Sequence, residues 1–472
     1  MGGSLMIMDI ILLCLTVVFL AAAIIFTKES IKEQEGRAIK VGHGGTFLMV
    51  LLGIGLIFLP GIRLPVATLY TLLILFLLLS LIPGRPNLQA LKGTEGYIKG
   101  QVERFDERDT VFARNRSLPP GSEVYRKYYE MHSGREERDA SRRAAGGPLG
   151  RLGSIDKEHC PNVGMLKAAF LMPFSLGRAE QVAPAMETSP FPIDPQQATH
   201  RIKGFAKHLG ADLVGICRLD LRWIYSHRGE IFYNNWEDWG KEIPSPLPFA
   251  IVLATEMDGQ LVRGAPHTPS VVESGLNYAK GAYISSILAS YIAQLGYPAE
   301  AHHLRHYDLV LVPVAIDAGL GELGRFGYLI TKEFGPRVRL AAVTTSLPLI
   351  PDRPIDLGVQ EFCDRCLKCA DMCPSKSIPD GGKVVYNNVE KWKLDEESCF
   401  DYWAKVGTDC NICMAICPYS RPNRSFHRLT RWMVGKSPFA RVVFPYIDNI
   451  IYGRKWHLKK VPTWIDYSSR KE

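Results

Sequence analysis

The chain has 472 residues, of which 47% are hydrophobic and 22% charged, and its formal net charge is +8. This length accommodates two or three domains. The modest positive charge favours a solvated or membrane-proximal basic face over a nucleic-acid surface, and we expect no nucleic-acid partner. Most of the 11 cysteines fall between Cys363 and Cys417. A secreted disulfide scaffold would be short and would distribute its cysteines, so this clustering indicates metal ligands.

Three apolar runs occupy residues 1–84. The first covers residues 5–26, which is the length that a membrane-spanning helix requires, and the others cover roughly 46–60 and 64–83. Three runs exceed a cleaved signal peptide, and no paired arginines precede the first run as a twin-arginine signal would require. Because Lys and Arg mark cytoplasmic loops, their positions predict an external N-terminus and a soluble part that faces the cytoplasm from about residue 85.

The soluble part divides by composition. Residues 85–197 predict an N-terminal segment with a flexible, charged and Gly/Ser-rich loop at 131–154. Apolar strand-like runs alternate with helical patterns from 198 to 355, which predicts an α/β domain with an open sheet. Residues 356–420 hold the clustered cysteines, and 421–472 form a basic, aromatic extension. The first predicted strand ends at residue 219, and the others cover residues 248–257, 308–316 and 339–349. A long amphipathic helix is predicted over 274–296.

Two cysteine motifs point to iron–sulfur chemistry. The first reads C-x2-C-x2-C-x3-C-P and the second C-x10-C-x2-C-x3-C-P. In two-cluster ferredoxins the fourth cysteine of each motif ligates the cluster of the other motif. Structural zinc also uses C-x2-C pairs, but two interlocked motifs favour two [4Fe–4S] clusters, which form a short path for single electrons. The predicted ligand sets are Cys363, Cys366, Cys369 and Cys417 for one cluster, and Cys373, Cys399, Cys410 and Cys413 for the other.

A glycine-rich block follows the predicted strand at 308–316. Gly319, Gly321 and Gly324 have the G-x-G-x-x-G spacing that is typical of dinucleotide folds. No acidic residue in a clear second-strand context follows about 20 residues later, so nicotinamide binding is disfavoured. The glycines do indicate a close approach of the backbone to another group.

The stretch FDERDTVFAR at 105–114, the glycine block at 315–340 and the two cysteine motifs, in this order, resemble corrinoid- and iron–sulfur-dependent reductive dehalogenases. The resemblance covers roughly residues 100–420. It implies an α+β, nitroreductase-like domain that binds a corrinoid (cobalamin) base-off, and an enzyme that removes halide from a small organohalide. It also implies a quinol or ferredoxin-like electron donor. The residues that would line the corrinoid are Gly319, Gly321, Gly324 and Gly327.

The resemblance further implies a tyrosine proton donor, with a cationic side chain about 60 residues downstream. Tyr278 with Arg337 fits this spacing, and Tyr283 and Arg339 are the rival positions. A nearby cation stabilises a phenolate and therefore makes a phenol a better acid. The alternative is that Tyr278 is an aromatic residue packed in the core.

Members of the family place an Asn near the active site, where this chain has AHHLRHYD at 301–308. His303, Arg305 and His306 are therefore candidates for its role. The charged residues at 105–109 predict a structural role at the active-site mouth. Trp236 and Trp239 fit either an apolar pocket or the core.

Two other functions remain open at the sequence level. Epoxyqueuosine reductase, which acts on tRNA, shares the cysteine arrangement, but it is soluble and the three apolar runs argue against it. A membrane-bound ferredoxin-like electron carrier without corrinoid would need only the membrane segment and the cysteine region. The sequence leaves the oligomeric state open.

Overall fold

The computed structural model describes residues 2–145, 160–186, 188–244 and 247–466. They form two compact units, which we describe separately. One comprises residues 1–86 and 423–455, and the other comprises 87–422 and 456–472. The soluble domains predicted at 85–197, 198–355 and 356–420 therefore share one unit almost entirely, and the predicted extension at 421–472 is divided between the two units.

The helices and strands, labelled in chain order, have the following bounds. The α-helices are α1 Gly2–Lys32, α2 Gly36–Phe58, α3 Arg63–Leu81, α4 Val111–Arg116, α5 Glu123–Met131, α6 Glu136–Ala145, α7 Cys160–Ala169, α8 Leu171–Leu176, α9 Ala179–Val182, α10 Pro195–His208, α11 Gly259–Val262, α12 Thr268–Gln294, α13 Leu311–Asp317, α14 Val359–Cys366, α15 Lys368–Asp371, α16 Glu396–Val406, α17 Ile412–Ile416, α18 Ser425–Lys436 and α19 Pro438–Tyr452. The strands are β1 Leu213–Arg218, β2 Phe249–Glu256, β3 Ala299–His302, β4 Gly321–Leu323, β5 Leu329–Thr331, β6 Val338–Thr345, β7 Val384–Tyr386 and β8 Val389–Lys391.

The unit that contains the N-terminus is helical. Its first three helices are long and apolar enough to cross a membrane, over Ile7–Lys32, Gly36–Phe58 and Pro60–Leu81. The buried hydroxyl of Tyr70 on α3 lies 2.6 Å from that of Thr16 on α1, so each has a polar partner, and Arg63 of α3 pairs with Asp9 of α1 at 2.8 Å. The predicted polar loop at 27–40 is mostly helical, because α1 and α2 extend into it.

The other unit is built on a four-stranded sheet with the order β1-β2-β6-β3, and every neighbouring pair is antiparallel. This topology belongs to the α+β class, so the expectation of an open α/β sheet is wrong. Because these strands are covered on both faces, their sequences are continuous apolar runs. Such a run does not indicate whether a strand pairs with its neighbours in parallel or antiparallel.

Both faces of this sheet are buried. Ile251 and Leu253 of β2 pack with Leu288 and Ile292 of α12, while the alternate residues of β2 face the other side. There Ala250, Val252 and Ala254 pack against Val314 and Ala315 of α13. The sheet therefore holds α12 and α13 on opposite faces.

The structure corrects two predicted segments. The run at 308–316 was expected to be a strand, but Leu311–Asp317 is helical, because its β-branched residues fill the groove over the small alanines of β2. The first part of the loop predicted at 131–154 is the helix α6, in which Asp139 and Arg142 are buried and paired at 2.8 Å. The remainder of that loop lies outside the described residues.

Candidate active site

The eight clustered cysteines lie in two groups of four. Burial and then the neighbouring Cys363, Cys417 and Cys366 raise the pKa of the Cys369 thiol, with the smallest of the named contributions from Cys413. Burial and the neighbouring Cys410, Cys399 and Cys373 likewise raise the pKa of Cys413. These are the two sets that the motifs predict, with Cys373 and Cys417 exchanged between motifs. Four thiols are the donor set of a [4Fe–4S] cluster, and the ligand role of these residues stays a prediction.

The backbone of the cysteine region explains this grouping. Leu367 between α14 and α15, and Cys410 and Asn411 before α17, adopt positive φ angles of 55° to 60°. Such residues turn the chain tightly between helical segments, so successive thiols point to a common centre. Each motif then ends at a proline that follows its fourth cysteine and redirects the chain.

A cavity of about 450 Å³ lies beside the second cysteine group. Its lining comes from α12, from β6, from residues 303–312 and from the cysteine region, which contributes Trp403 and Asp409. The walls are largely apolar. The charged or hydrogen-bonding side chains that line it are Arg116, Tyr225, Glu230, Ser274, Tyr278, His303, Tyr307, Tyr328, Arg339, Trp403 and Asp409.

Tyr278 and Arg339 meet on the wall of this cavity. The guanidinium carbon of Arg339 lies 5.4 Å from the centre of the Tyr278 ring, and Tyr278 is the first of the groups that raise the pKa of Arg339. The approach is close because Gly281 of α12 faces β6, where an added Cβ would lie 3.1 Å from the Cβ of Ala341. Only a residue without a side chain allows the helix to lie so near the strand.

Asp409 completes this group. Arg339 Nη2 donates to Ser274 Oγ at 2.7 Å and to Asp409 Oδ2 at 3.2 Å, and Ser274 donates to the same carboxylate oxygen at 2.5 Å. Burial would lower the pKa of Arg339, but Tyr278, Tyr328 and Asp409 raise it above its ordinary value. The guanidinium therefore stays charged beside the Tyr278 phenol.

Arg337, which the sequence pairs with Tyr278, lies elsewhere. Its guanidinium donates to Glu256 Oε1 at 2.9 Å, to the Met257 carbonyl at 2.5 Å and to the Ser420 carbonyl at 2.9 Å. Arg337 precedes the first residue of β6, whereas Arg339 lies inside the strand next to α12. Of the two arginines, Arg339 is therefore the one that lies beside Tyr278, and a spacing of about 60 residues could not distinguish them; the catalytic role of either stays a prediction. Tyr283 is 41% exposed and is not on the cavity wall.

Tyr328 connects the cavity to the second cysteine group. It lines the cavity, and burial raises its pKa well above the ordinary value, with further contributions from the nearby Cys413 and Cys399. Arg339 acts on the same phenol in the opposite direction. The second cysteine group is therefore the one next to the cavity.

A buried acidic pair borders another part of the cavity. Glu230 lines it, accepts a hydrogen bond from the Tyr307 hydroxyl at 2.7 Å and pairs with Arg116 at 3.3 Å. Glu107 lies behind Glu230, where its Oε2 accepts from the backbone nitrogens of Gly229 at 2.6 Å and of Glu230 at 3.1 Å. Burial, and then the Glu230 carboxylate, raise the pKa of Glu107 to about 8. The FDERD stretch thus supplies a buried acid near the cavity.

Of the three candidates in the stretch 301–308, only His303 lines the cavity. Burial lowers its pKa to about 4, so its imidazole is neutral. The guanidinium of Arg305 instead packs on the Phe174 and Phe232 rings, at 4.0 and 4.6 Å. His306 pairs with Glu300 at 2.7 Å.

The two tryptophans predicted for a pocket are absent from the cavity wall. Trp236 is 36% exposed, and the Trp239 ring lies under the Arg108 guanidinium at 5.4 Å.

The glycine block contains the hairpin β4–β5, and its predicted role in lining a corrinoid stays a prediction. An added Cβ at Gly319 would lie 2.4 Å from the Arg353 carbonyl oxygen, and one at Gly321 would lie 2.2 Å from that of Ile330. At Gly324 it would lie 2.7 Å from Ile330 Cδ1. These three glycines therefore serve packing within the protein, as the close backbone approach predicted. Gly327 alone lines a cavity, a second one of about 320 Å³.

Sequence reasoning missed Asp409, Ser274 and the Glu107–Glu230 pair. Asp409 directly precedes a predicted ligand, and Ser274 lies four residues before Tyr278, so each had a local signal. The Glu107–Glu230 pair joins residues more than 100 positions apart, and no local pattern shows it.

Two groups of four thiols beside a cavity that contains a tyrosine–arginine pair are typical of an iron–sulfur oxidoreductase. Known proteins of similar sequence agree with this class. The chain is 32% identical over 307 residues to the tetrachloroethene reductive dehalogenase of Sulfurospirillum multivorans, covering 58% of this chain and 60% of that protein. It is 34% identical over 279 residues to the tetrachloroethene reductive dehalogenase of Desulfitobacterium hafniense, covering half of each protein.

Solved structures give the same result. The catabolic reductive dehalogenase NpRdhA matches 80% of this chain and 50% of its own, with a TM-score of 0.61 and 26% identity. A match to epoxyqueuosine reductase of Lactococcus garvieae is 34% identical but covers only 25% of this chain. No family model matches the chain. The chain spans about half to 60% of the length of these dehalogenases. The chain is similar to reductive dehalogenases in sequence and in fold, which confirms the resemblance predicted from its sequence.

Proposed function

We propose that this protein is a reductive dehalogenase, an oxidoreductase that replaces the halogen of a small organohalide by hydrogen. The observation that carries the proposal is the Tyr278–Arg339–Asp409 group on the cavity wall, with the second cysteine group directly behind it. This arrangement supplies a proton donor and an electron path to one cavity. A redox protein that only carried electrons would need no such pair.

The residues fit the two cofactors of such an enzyme. Each cysteine group offers four thiols, and the two cavities share Val310 and Val312, so they adjoin and together give a large apolar space. His303 lines this space with its Nε2 directed to the Leu176 carbonyl at 3.2 Å, which agrees with a corrinoid bound without a protein ligand. When bound, the two clusters supply single electrons and the reduced corrinoid supplies the cleavage of the carbon–halogen bond.

The chain's own residues supply the proton. Reductive dehalogenation consumes two electrons and one proton, breaks one carbon–halogen bond, forms one carbon–hydrogen bond and releases halide. In this proposal the Tyr278 hydroxyl gives its proton to the substrate carbon. Arg339 then stabilises the phenolate by charge until a proton from solvent restores the phenol. Asp409 and Ser274 hold the guanidinium in place, so they are positioning residues.

The cavity wall favours a small and mainly apolar substrate. Phe112, Phe170 and Trp403 line it together with leucine and valine side chains. Apolar and aromatic walls with a few polar groups are typical of small-molecule sites. NpRdhA has been solved in complex with 3-bromo-4-hydroxybenzoic acid, a small aromatic organohalide.

Anaerobic purification of the full chain with corrinoid supplied tests the proposal. We expect bound iron, bound cobalt and halide release from an organohalide panel that includes tetrachloroethene and 3-bromo-4-hydroxybenzoic acid. Replacement Tyr278→Phe should lower halide release at least about 100-fold with both cofactors retained, because general acid catalysis contributes roughly that much. Tyr283→Phe is the matched control and should keep full activity.

Each rival function has its own outcome in this experiment. Iron–sulfur absorption with no bound corrinoid would support an electron carrier. Corrinoid binding with turnover of epoxyqueuosine tRNA and no halide release would support the tRNA enzyme. Full activity of the Tyr278→Phe variant would remove Tyr278 from the mechanism and leave the rest of the proposal intact.

We also propose that the catalytic part faces the cytoplasm and receives its electrons there from a quinol or a ferredoxin-like donor. The charge pattern around the three apolar helices supports this orientation. Reporter fusions after residue 90 test it, since a periplasmic reporter would be inactive and a cytoplasmic reporter active in this orientation. The reverse result would overturn the proposal for orientation alone.

A further inference from the structure

The second cavity, of about 320 Å³, has walls that are mostly apolar but contain three polar groups without a partner. Among the described residues, the hydroxyl of Tyr97, Nε1 of Trp392 and Oε2 of Glu322 are buried atoms with no hydrogen bond in the protein. All three side chains line this cavity. A buried donor or acceptor without a partner is energetically costly, so three of them around one cavity indicate a ligand that satisfies them.

These three groups are held rigidly. Glu322 is 3% exposed, and its other oxygen accepts from the backbone nitrogens of Leu357 at 2.6 Å and Val359 at 3.3 Å. Trp392 is 2% exposed, and its ring lies between the Arg325 guanidinium at 4.9 Å and the Lys383 ammonium at 4.6 Å. The unpartnered atoms are therefore part of a preorganised site, since their side chains have other anchors.

The chemistry of the site is that of a primary carboxamide. Tyr97 and Trp392 donate, and an ionised Glu322 accepts, so a ligand that satisfies all three atoms presents both acceptors and N–H donors. A carboxamide offers both, with its carbonyl oxygen and its NH₂ group. A phosphate or carboxylate offers acceptors only, so it could pair with Lys391 and Lys393 of the same lining but would leave the Glu322 oxygen without a donor.

We propose that this cavity binds carboxamide side chains of the corrinoid, with their carbonyl oxygens accepting from Tyr97 and Trp392 and their NH₂ groups donating to Glu322. The inference rests on the proposed function, because a corrinoid in the adjoining cavity is the carboxamide-rich group that the function requires. In this proposal the corrinoid would occupy both cavities, which adjoin at Val310 and Val312.

Conservative variants of the full chain test this assignment. Tyr97→Phe and Trp392→Phe each remove one donor and keep the ring, and Glu322→Gln turns the acceptor into a donor. We expect each to raise the Kd of both hydroxocobalamin and cobinamide roughly 3- to 10-fold, measured by absorption in anaerobic titrations. Both probes carry carboxamides, and only hydroxocobalamin carries the nucleotide. Trp236→Phe and Tyr386→Phe are the matched controls and should bind as the wild type does.

The Tm of the corrinoid-free protein is a second readout. Tyr97→Phe removes a hydroxyl that has no partner in the free protein and keeps the phenyl ring, so its Tm should stay the same or rise. A lowered Tm with unchanged affinity would show a structural role and overturn the inference. Loss of affinity for hydroxocobalamin but not for cobinamide would also overturn it, since the cavity would then hold the nucleotide.

The two proposals fail in distinguishable ways. A wild-type protein that binds no corrinoid would overturn the proposed function together with this inference. Wild-type binding with wild-type affinity in all three variants would overturn the carboxamide assignment and leave the proposed function standing.

Discussion

Arg337 and Arg339 are separated by one residue, but their surroundings assign them different tasks. Arg337 donates to two backbone carbonyls and a carboxylate, so it joins the end of β6 to the chain after Cys417. Arg339 lies between the Tyr278 ring and Asp409. A cation adjacent to the phenol affects its acidity, whereas one that is engaged elsewhere affects folding.

This difference gives a paired prediction. Arg339→Met keeps the length of the side chain but removes its charge, so halide release should fall by at least about tenfold, because the Tyr278 phenolate loses its stabilising cation. Arg339→Lys should recover part of this loss. Arg337→Lys should keep halide release near the wild-type rate and lower the Tm, since it loses hydrogen bonds to carbonyls. Equal rate losses in the Arg337 and Arg339 variants would contradict the assignment.

Glu107 predicts a pH dependence of stability. Its pKa is about 8 in the folded protein, against an ordinary value of 4.5, so the folded state holds a proton that the unfolded state releases. Stability from this group is fully present below about pH 4.5 and is lost as the pH rises through about 8. Glu107→Gln stays neutral, so its Tm should fall less than that of the wild type between pH 5 and pH 8. The exposed Glu103→Gln is the control, and identical pH slopes in all three proteins would refute the prediction.

At the scale of elements, two close approaches shape the site. Gly281 allows α12 to lie near β6, which brings Tyr278 to Arg339, and Gly321 allows β4 to lie near β5. Glycine spacing that is typical of a dinucleotide turn here serves a hairpin. The same glycine spacing can thus allow close backbone contact with a dinucleotide in one protein and between two strands in another.

Gly321→Ala should therefore destabilise the fold. The new Cβ would lie 2.2 Å from the Ile330 carbonyl oxygen, so the hairpin backbone must move, at a cost of about 1–3 kcal/mol. Gly204→Ala provides the contrast, because Gly204 is exposed inside α10 with no atom within 4 Å of the added Cβ. This change should stabilise the protein by about 0.5–1 kcal/mol. Thermal unfolding monitored by circular dichroism measures both, and a similar Tm for the two variants would count against this account.

At the scale of the whole molecule, the cysteine region completes a cavity that the sheet and its helices begin. Trp403 and Asp409 reach the cavity from the cysteine region, while Tyr278 and Arg339 reach it from the core. Asp409 directly precedes Cys410. The same loop therefore contains a predicted cluster ligand and the carboxylate that holds Arg339 beside Tyr278, the predicted proton donor. In the proposed mechanism, electron delivery and proton delivery therefore occur at one cavity.

The exchange of the fourth cysteines is testable at this scale by iron content. Cys417→Ser should reduce the iron from about eight atoms to about four, and adding Cys363→Ala should remove no more, because both thiols belong to one group. Adding Cys373→Ser instead should remove the remaining iron. Cys217→Ala, whose thiol lies near the Val314 carbonyl, should retain all the iron. Additive losses for the Cys363 and Cys417 pair would contradict the grouping.

Local patterns were sufficient for part of this protein. The apolar runs predicted α1, α2 and α3, because the length of a membrane-spanning helix is encoded in consecutive residues. The cysteine spacing predicted the two groups of four, because three thiols of each group are close in the chain and Cys-Pro marks the fourth. The glycines predicted a close backbone approach, although not its location.

Contacts between distant residues decided the rest. The antiparallel order of the sheet, the helix at Leu311–Asp317 and the choice of Arg339 over Arg337 all depend on what packs against each segment. Glu107 and Glu230 lie together although more than 100 residues separate them in the chain, and the same is true of Ser274 and Asp409. Strand direction and side-chain partners depend on tertiary packing, which overrides local preference, and so the active-site pair is visible only in the folded structure.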